Sequence, residues 1–292
     1  MTATAARLPQ VRALQDGRRL HIQDGPVDLI IEAWGTVAAV HAAYAAATSR
    51  MTGLLDELCT ELPALRQEAL ADGSPLTGPV ARRMYRGVAP YAAGTFITPM
   101  AAVAGAVADE VLASMVAAAD LDRAYVNDGG DIALHVTPGT QFQVGLISAP
   151  NRPGLFSTAL ITANDGIGGI ATSGWRGRSF SLGIADAVTV LATTAADADA
   201  AATIIANAVD LPGHPAVRRA PALALQPDND LGPRLVTCAV GRLTPEEIEE
   251  AISGGLARAR ELVAQGLIKA AALHLQGATA FAGWKASTIV GG

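Results

Sequence analysis

Residues 124–147 read AYVNDGGDIALHVTPGTQFQVGLI. Ala124 to Val126 is β-like, Asn127-Asp128-Gly129-Gly130-Asp131 interrupts it, and Ile132 to Val136 resumes the alternation. Two glycines between β runs supply positive φ and let another part of the chain come close. Gln141 to Ile147 reads as a third strand. Ser157 to Ala163 reads as a fourth, beyond a loop carrying Pro150, Pro153 and Gly154. Short strands in direct succession form a meander, so the sheet is expected to be antiparallel. A hairpin accounts for the glycines. It accounts less well for Asn127, Asp128 and Asp131 crowding one turn.

Upstream, Arg19 to Ile22 and Val27 to Ala33 flank Gln23-Asp24-Gly25-Pro26, the pattern of another hairpin. Gly35-Thr36 opens a helix expected over 37–58, and Leu62-Pro63 a further helical piece. Pro79 starts a helix carrying Arg82, Arg83 and Arg86, which is either a solvated face or an anion clamp. Thr98-Pro99 starts a helix running to about Ala119, with Thr98 as its N-cap. Val103, Val107, Val111 and Met115 recur every four residues as its core stripe, and Gly105 offers a close approach. Asp109 reads as an exposed carboxylate.

Downstream, Asp186 to Ala192 reads as a strand, and Thr194 as the cap of the following helix. The chain reads as loop from Pro212 to Pro221, then as a strand over Arg234 to Val240. Thr244-Pro245-Glu246-Glu247 is a capping box, opening a helix to Gln265. Leu267 to Leu275 is a last strand, and 278–292, with Trp284, a loosely held tail. Helices come in blocks and strands in meanders. The fold class is α+β with antiparallel sheets, in one domain of two intimately packed halves with a boundary near 95–125.

The 292 residues are 50% apolar and 16% charged, enough for a substantial core. A formal charge of −6 argues against a nucleic-acid partner. Cys59 and Cys238 lie far apart, in neither a metal spacing nor a disulfide framework. The N-terminal residues lack an apolar signal region, and the apolar run at 100–108 meets Asp109-Glu110. These features predict a soluble, cytoplasmic protein that does not engage a membrane.

The chemistry concentrates in residues 169–210, GIATSGWRGRSFSLGIADAVTVLATTAADADAAATIIANAVD. Asp199 and Thr203 lie four apart at a helix start, placing a carboxylate and a hydroxyl on one face. That pair suits a hard cation such as Mg²⁺. The plain alternative is that Asp197 and Asp199 complement the positive helix end. Thr172, Ser173 and Gly174, followed by Arg176 and Arg178, could hold an anion through hydroxyls, backbone N–H groups and guanidinium. Ser173 is a candidate nucleophile, though it lacks a G-x-S-x-G elbow. The glycines at 166–169 do not form a dinucleotide fingerprint.

Four segments in order resemble the ApbE-like family, related to FAD:protein FMN transferases. They are Met100 to Asp109, Tyr125 to Asp131, Ala171 to Gly174 and Ala198 to Thr203. The runs at Leu20–Leu29, Ile97–Glu110 and Ser179–Val190 are closest to a cytosolic, functionally uncharacterised branch of that group. The resemblance implies duplicated T-fold-type antiparallel sheets with helix pairs. It implies a flavin (FAD or FMN) or nucleotide site with Mg²⁺ at Asp199 and Thr203. Asn127, Gly129, Gly130, Thr172, Gly174, Arg176 and Arg178 would line the pocket. Two features depart from the family pattern. Ala104 stands where the transferases have lysine, and Trp175 to Ala185 lacks their His-x-x-Asp-Pro segment. The chain therefore reads as a small-molecule-binding, enzymatic relative that is not a competent FMN transferase.

Two other readings fit the same residues. One is a flavin-independent hydrolase or lyase acting on an N-heterocyclic or carboxylated metabolite, with Asp128, Asp131 or Ser173 in the catalytic roles. The other is a non-catalytic homo-oligomeric scaffold. A homo-oligomer is expected in either case.

Overall fold

The computed structural model describes residues 8–147, 155–283 and 289–290. Residues 1–7, the loop at 148–154, and 284–288 with Trp284 and 291–292 of the tail lie outside these residues. Nine strands form one sheet, in the spatial order β1 (Gln10–Ala13), β2 (Leu20–Asp24), β3 (Val27–Trp34), β4 (Arg123–Asp128), β5 (Asp131–Val136), β8 (Gly169–Ser173), β9 (Ala187–Ala192), β12 (Ala270–Leu275), β13 (Ala278–Ala282). Every neighbouring pair is antiparallel. The α+β class read from the meanders is the class observed.

The order of elements repeats. The first half runs β2, β3, then α1 (Val37–Met51), α2 (Leu54–Leu65), α3 (Pro79–Val88) and α4 (Val103–Ala118), then β4, β5. The second runs β8, β9, then α5 (Ala195–Ala208), α6 (Ala222–Leu225) and α7 (Pro245–Ala264), then β12, β13. Each half is two strands, a block of helices and two strands. The sheet joins them through β5 and β8 at Ile132 opposite Ile170 and Ala133 opposite Gly169. The division expected near 95–125 falls inside the first helical block; strand order places it between Val136 and Gly169. That interval carries β6 (Gln141–Ile147) and β7 (Leu155–Thr162), which pair with each other, and β14 (Ile289–Val290) lies beside β7. A second excursion, in the second helical block, holds the pair β10 (Val217–Pro221) and β11 (Leu235–Val240).

Period-two alternation assigns the two faces of the sheet. Leu29, Ile31, Val126, Ala133, Ala171, Val190 and Leu273 point into the main core with the helices. Leu134, Ile170, Leu191 and Ala270 form a second core on the other face, with Ile161, Phe142 and Val144 from the β6–β7 hairpin. The central strands are thus covered on both sides, and all six residues of β9 are buried. Nine residues of α5 are buried, seven of them alanine, so it packs closely on all sides. Its start lies so near α4 that a Cβ at Gly105 would collide with the Ala195 carbonyl. Residues Pro99–Ala118 have the length and apolarity of a membrane span. In the fold they are a central helix, with Gly105, Ala106, Val107, Ala108, Val111, Leu112 and Met115 buried.

Several expected boundaries differ. The helix foreseen over 37–58 breaks where Gly53, at φ 80°, turns the chain left-handed before α2. Pro63 sits inside α2 and starts nothing. Thr98 provides no side-chain cap: Pro99–Ala102 is a 3₁₀ turn, and the Thr98 hydroxyl bonds to Asp230. The sequence reading missed β1 and β10, which are short and lie at sheet edges. The tail is not loose at its start, because Ala278–Ala282 pairs along β12 as β13 and buries Ala282. The caps at Thr194 and Thr244 are present.

Candidate active site

The turn from β4 to β5 is two residues long, with Gly129 at φ 63° and Gly130 at φ 118°. Both angles suit glycine, which is why the tight hairpin forms here. Asn127 serves the turn itself: its Oδ1 accepts the Gly130 N–H at 2.8 Å. Asp128 and Asp131 face each other across the strands. Cross-strand partners share a face. Asp128 also pairs with Leu29, so that face is the helical one. Asp128 is 5% exposed, and its Oδ1 accepts the Asp28 N–H at 3.4 Å. Asp131 Oδ1 accepts the Thr172 N–H at 3.2 Å.

Asp199 reaches the same region from α5. Its Oδ2 accepts the Gly105 N–H at the start of α4, at 3.1 Å. The converse contact comes from Asp109 on α4, which accepts the Ala195 and Ala196 N–H groups of α5 at 3.0 and 2.9 Å. Each helix carries the carboxylate that satisfies the other's free N-terminal donors. Asp109 is therefore a half-buried cap, not the exposed side chain expected. The signal was present in the sequence. Asp109 follows Gly105 by one helical turn, so it shares the face along which another backbone comes close.

Burial raises the pKa of each carboxyl in this region. Asp128 is pushed up to about 7, mainly by burial and further by the Asp28 charge, against the Asp28 N–H and Arg178. Asp131 is raised by burial and by Asp128, against the Thr172 N–H and Arg178. Asp199 is raised by burial and then by the charges of Asp131 and Asp128, against the Gly105 and Ala104 N–H groups. Asp131 and Asp199 titrate together, each charge disfavouring the other. Asp109, pushed up to about 6 by burial, belongs to the helix joint.

The other sequence candidates separate. Thr172 gives the site its backbone N–H, while its hydroxyl bonds to Thr189 at 2.9 Å on the opposite face. Ser173 lies on the helical face, opposite Val188, and its hydroxyl forms no hydrogen bond among the described residues. Gly174 is bare because a Cβ there would lie 2.6 Å from the Asp186 carbonyl oxygen. Arg176 is drawn away from the carboxylates: its Nε donates to buried Asp186 at 2.6 Å, and it stacks 4.7 Å from the Trp175 ring centre. Arg178 lies against Gly129, where a Cβ would collide with its guanidinium. Thr203 follows Asp199 by one turn on α5 and makes no hydrogen bond among the described residues.

Among the described residues, no three His, Cys, Asp or Glu side chains converge into a metal cage. The donors that are present fit a different arrangement. One or two carboxylates and a hydroxyl could hold a hard cation whose remaining ligands are water or substrate oxygen, as Mg²⁺ prefers. Two surface hollows lie away from these carboxyls, one along 138–141 and 162–164 and one between α2 and Thr77-Gly78.

The chain matches the family described as AbpE bacteria over residues 11–281. It is 35% identical over 193 residues to the UPF0280 protein of Methanopyrus kandleri, covering 59% of this chain and 74% of that one. It is 38% identical over 133 residues to the UPF0280 protein of Methanothrix thermoacetophila, covering 45% and 52%. Among solved structures, the apbe protein from Thermotoga maritima aligns with a TM-score of 0.46 at 13% identity, over 94% of this chain and 97% of that one. The apo flavinyl transferase ApbE from Pseudomonas stutzeri aligns with a TM-score of 0.43 at 11% identity, over 94% and 95%.

Proposed function

The chain belongs to the AbpE bacteria family, and we propose from this premise that it is a small-molecule enzyme working at the carboxyl cluster of Asp128, Asp131 and Asp199. The observation that carries the reading is the convergence of three carboxyls from β4, β5 and α5, all with raised pKa. Burying like charges together opposes folding, and such clusters concentrate where chemistry is done. The motif resemblance supports a flavin- or nucleotide-type ligand. Ala104 and the Trp175–Ala185 loop speak against transfer of FMN to a protein. Asp199 and Thr203 would hold Mg²⁺, which when bound neutralises phosphate or carboxylate oxygens of the ligand. Asp128, with its pKa pushed up to about 7, can donate a proton to a bound molecule or take one up near neutral pH. The Thr172 N–H orients Asp131, and the Gly105 N–H orients Asp199.

The test is calorimetric titration of metal-free protein with Mg²⁺, FMN, FAD and ADP, alongside thermal melting. Binding of a flavin or nucleotide, strengthened by Mg²⁺ and weakened in Asp199→Asn, is expected. Absence of both ligand binding and any Mg²⁺-linked thermal shift would remove the inherited-ligand version.

The raised pKa of Asp128 favours a second reading: flavin-independent acid–base catalysis on an N-heterocyclic or carboxylated metabolite. A substrate screen checks it, and unchanged turnover in Asp131→Ala would count against it. A soluble, cytoplasmic homo-oligomer is part of the proposal, and a monomer in light scattering would exclude the oligomer.

A further inference from the structure

We infer that Arg178 recognises the substrate, and that the group it takes is a singly charged carboxylate held in the fork of its guanidinium. The inference rests on the second reading above, a carboxylated metabolite bound beside the carboxyl cluster, and names the group that is recognised. The two arginines of the 175–185 loop have different surroundings. Arg176 is committed to Asp186 and the Trp175 ring. Arg178 is exposed and forms neither a hydrogen bond nor an ion pair among the described residues. Its donors are free for a ligand, yet it is not a wandering surface side chain. The guanidinium packs on the β4–β5 turn, which is bare at Gly129 where any Cβ would collide with it.

The loop that presents Arg178 is braced at both ends. The Trp175 N–H bonds to the Ala185 carbonyl and the Gly177 N–H to the Gly174 carbonyl, each at 3.0 Å. Trp175 Nε1 donates to Asp186 at 3.1 Å, and the Leu182 N–H to Asn207 at 2.9 Å. A planar guanidinium held this way offers two parallel N–H groups, the geometry that matches a carboxylate. Charge selects within the anions. Arg178 lies near Asp128 and Asp131, so a multiply charged phosphate placed there is repelled by whichever of these carboxyls ionises. A planar monoanion meets much less.

The experiment uses full-length protein in EDTA, ¹⁵N-labelled at arginine, with acetate and inorganic phosphate as separate probes. The Arg178 Nε–H signal is assigned by its loss in Arg178→Lys. Acetate is expected to move that signal saturably while the Arg176 signal stays in place, with phosphate about ten-fold weaker. The thermal stabilisation given by acetate should disappear in Arg178→Lys, a change at an exposed position that leaves the fold intact. An unmoved Arg178 signal, phosphate binding as tight as acetate, or acetate stabilisation retained in Arg178→Lys would each overturn the inference. No metal or flavin is present, so this outcome is separate from that of the Mg²⁺ and flavin titrations.

Discussion

Asp128 shows how one buried side chain makes stability depend on pH. Its folded pKa is about 7, above the ordinary carboxylate value, because burial disfavours the charge. The folded state therefore holds the proton more tightly than the unfolded chain. Its contribution to stability is complete below about pH 4 and is lost as pH rises through about 7. The loss is on the order of 2–4 kcal/mol, from about three pKa units of difference. In urea titrations across this range, Asp128→Asn should flatten the fall in unfolding free energy, and an unchanged slope would count against the assignment. Asp199→Asn should act in a related way. It removes a carboxyl whose ionised form is disfavoured by burial and then by Asp131 and Asp128, and it keeps an oxygen for the Gly105 N–H. The metal-free variant should melt about 2 °C higher, from roughly 1 kcal/mol of relieved repulsion, while losing any Mg²⁺-linked shift.

Among elements, the α4–α5 contact decides where the site residues stand. Asp109→Ala leaves the Ala195 and Ala196 N–H groups without acceptors in a buried joint. The expected cost is about 3 kcal/mol in chemical denaturation, at the scale of unsatisfied buried donors. Gly105→Ala pushes a methyl into the Ala195 carbonyl, a backbone atom that cannot swing aside. It should cost about 3 kcal/mol and displace Asp199, so ligand affinity would fall together with stability. Much at this scale was legible in the sequence. β-prone runs marked β3, β4, β5 and β9; Thr-containing caps marked α5 and α7; the Gly-Gly turn marked the acidic site. Other features needed three dimensions. Asp109 looked exposed because one helix says nothing about what covers it. Arg176 and Arg178 looked equivalent because two residues of spacing do not say that buried Asp186 claims the first. The Thr172 hydroxyl was counted in the site although strand alternation turns it to the other face.

For the whole molecule, duplication is the governing fact. Two copies of strand pair, helices, strand pair share one sheet, and the cluster of Asp128, Asp131 and Asp199 draws on both. Asp128 and Asp131 come from the first copy, Asp199 and Arg178 from the second. The sequence pointed to a duplicated architecture but placed the division too early, since the helical block interrupts each copy and no composition shift marks Val136 to Gly169. The end of the chain belongs to the sheet as well. Deleting 278–292 strips β13 from β12 and exposes an apolar edge. The shortened protein should melt more than about 5 °C lower or aggregate on expression. A soluble variant with unchanged melting would show that β13 contributes nothing.

The crossed carboxylates at the α4–α5 joint also constrain how such a protein can change over generations. Asp109 sits in one copy and serves the other; Asp199 does the reverse. Neither half carries its own complement, so the copies cannot drift as independent inheritances. Losing either aspartate alone leaves the other half's helix incomplete, whichever half the change occurred in. Chimaeras assembled from the halves of two relatives should survive only when both parents keep this exchange.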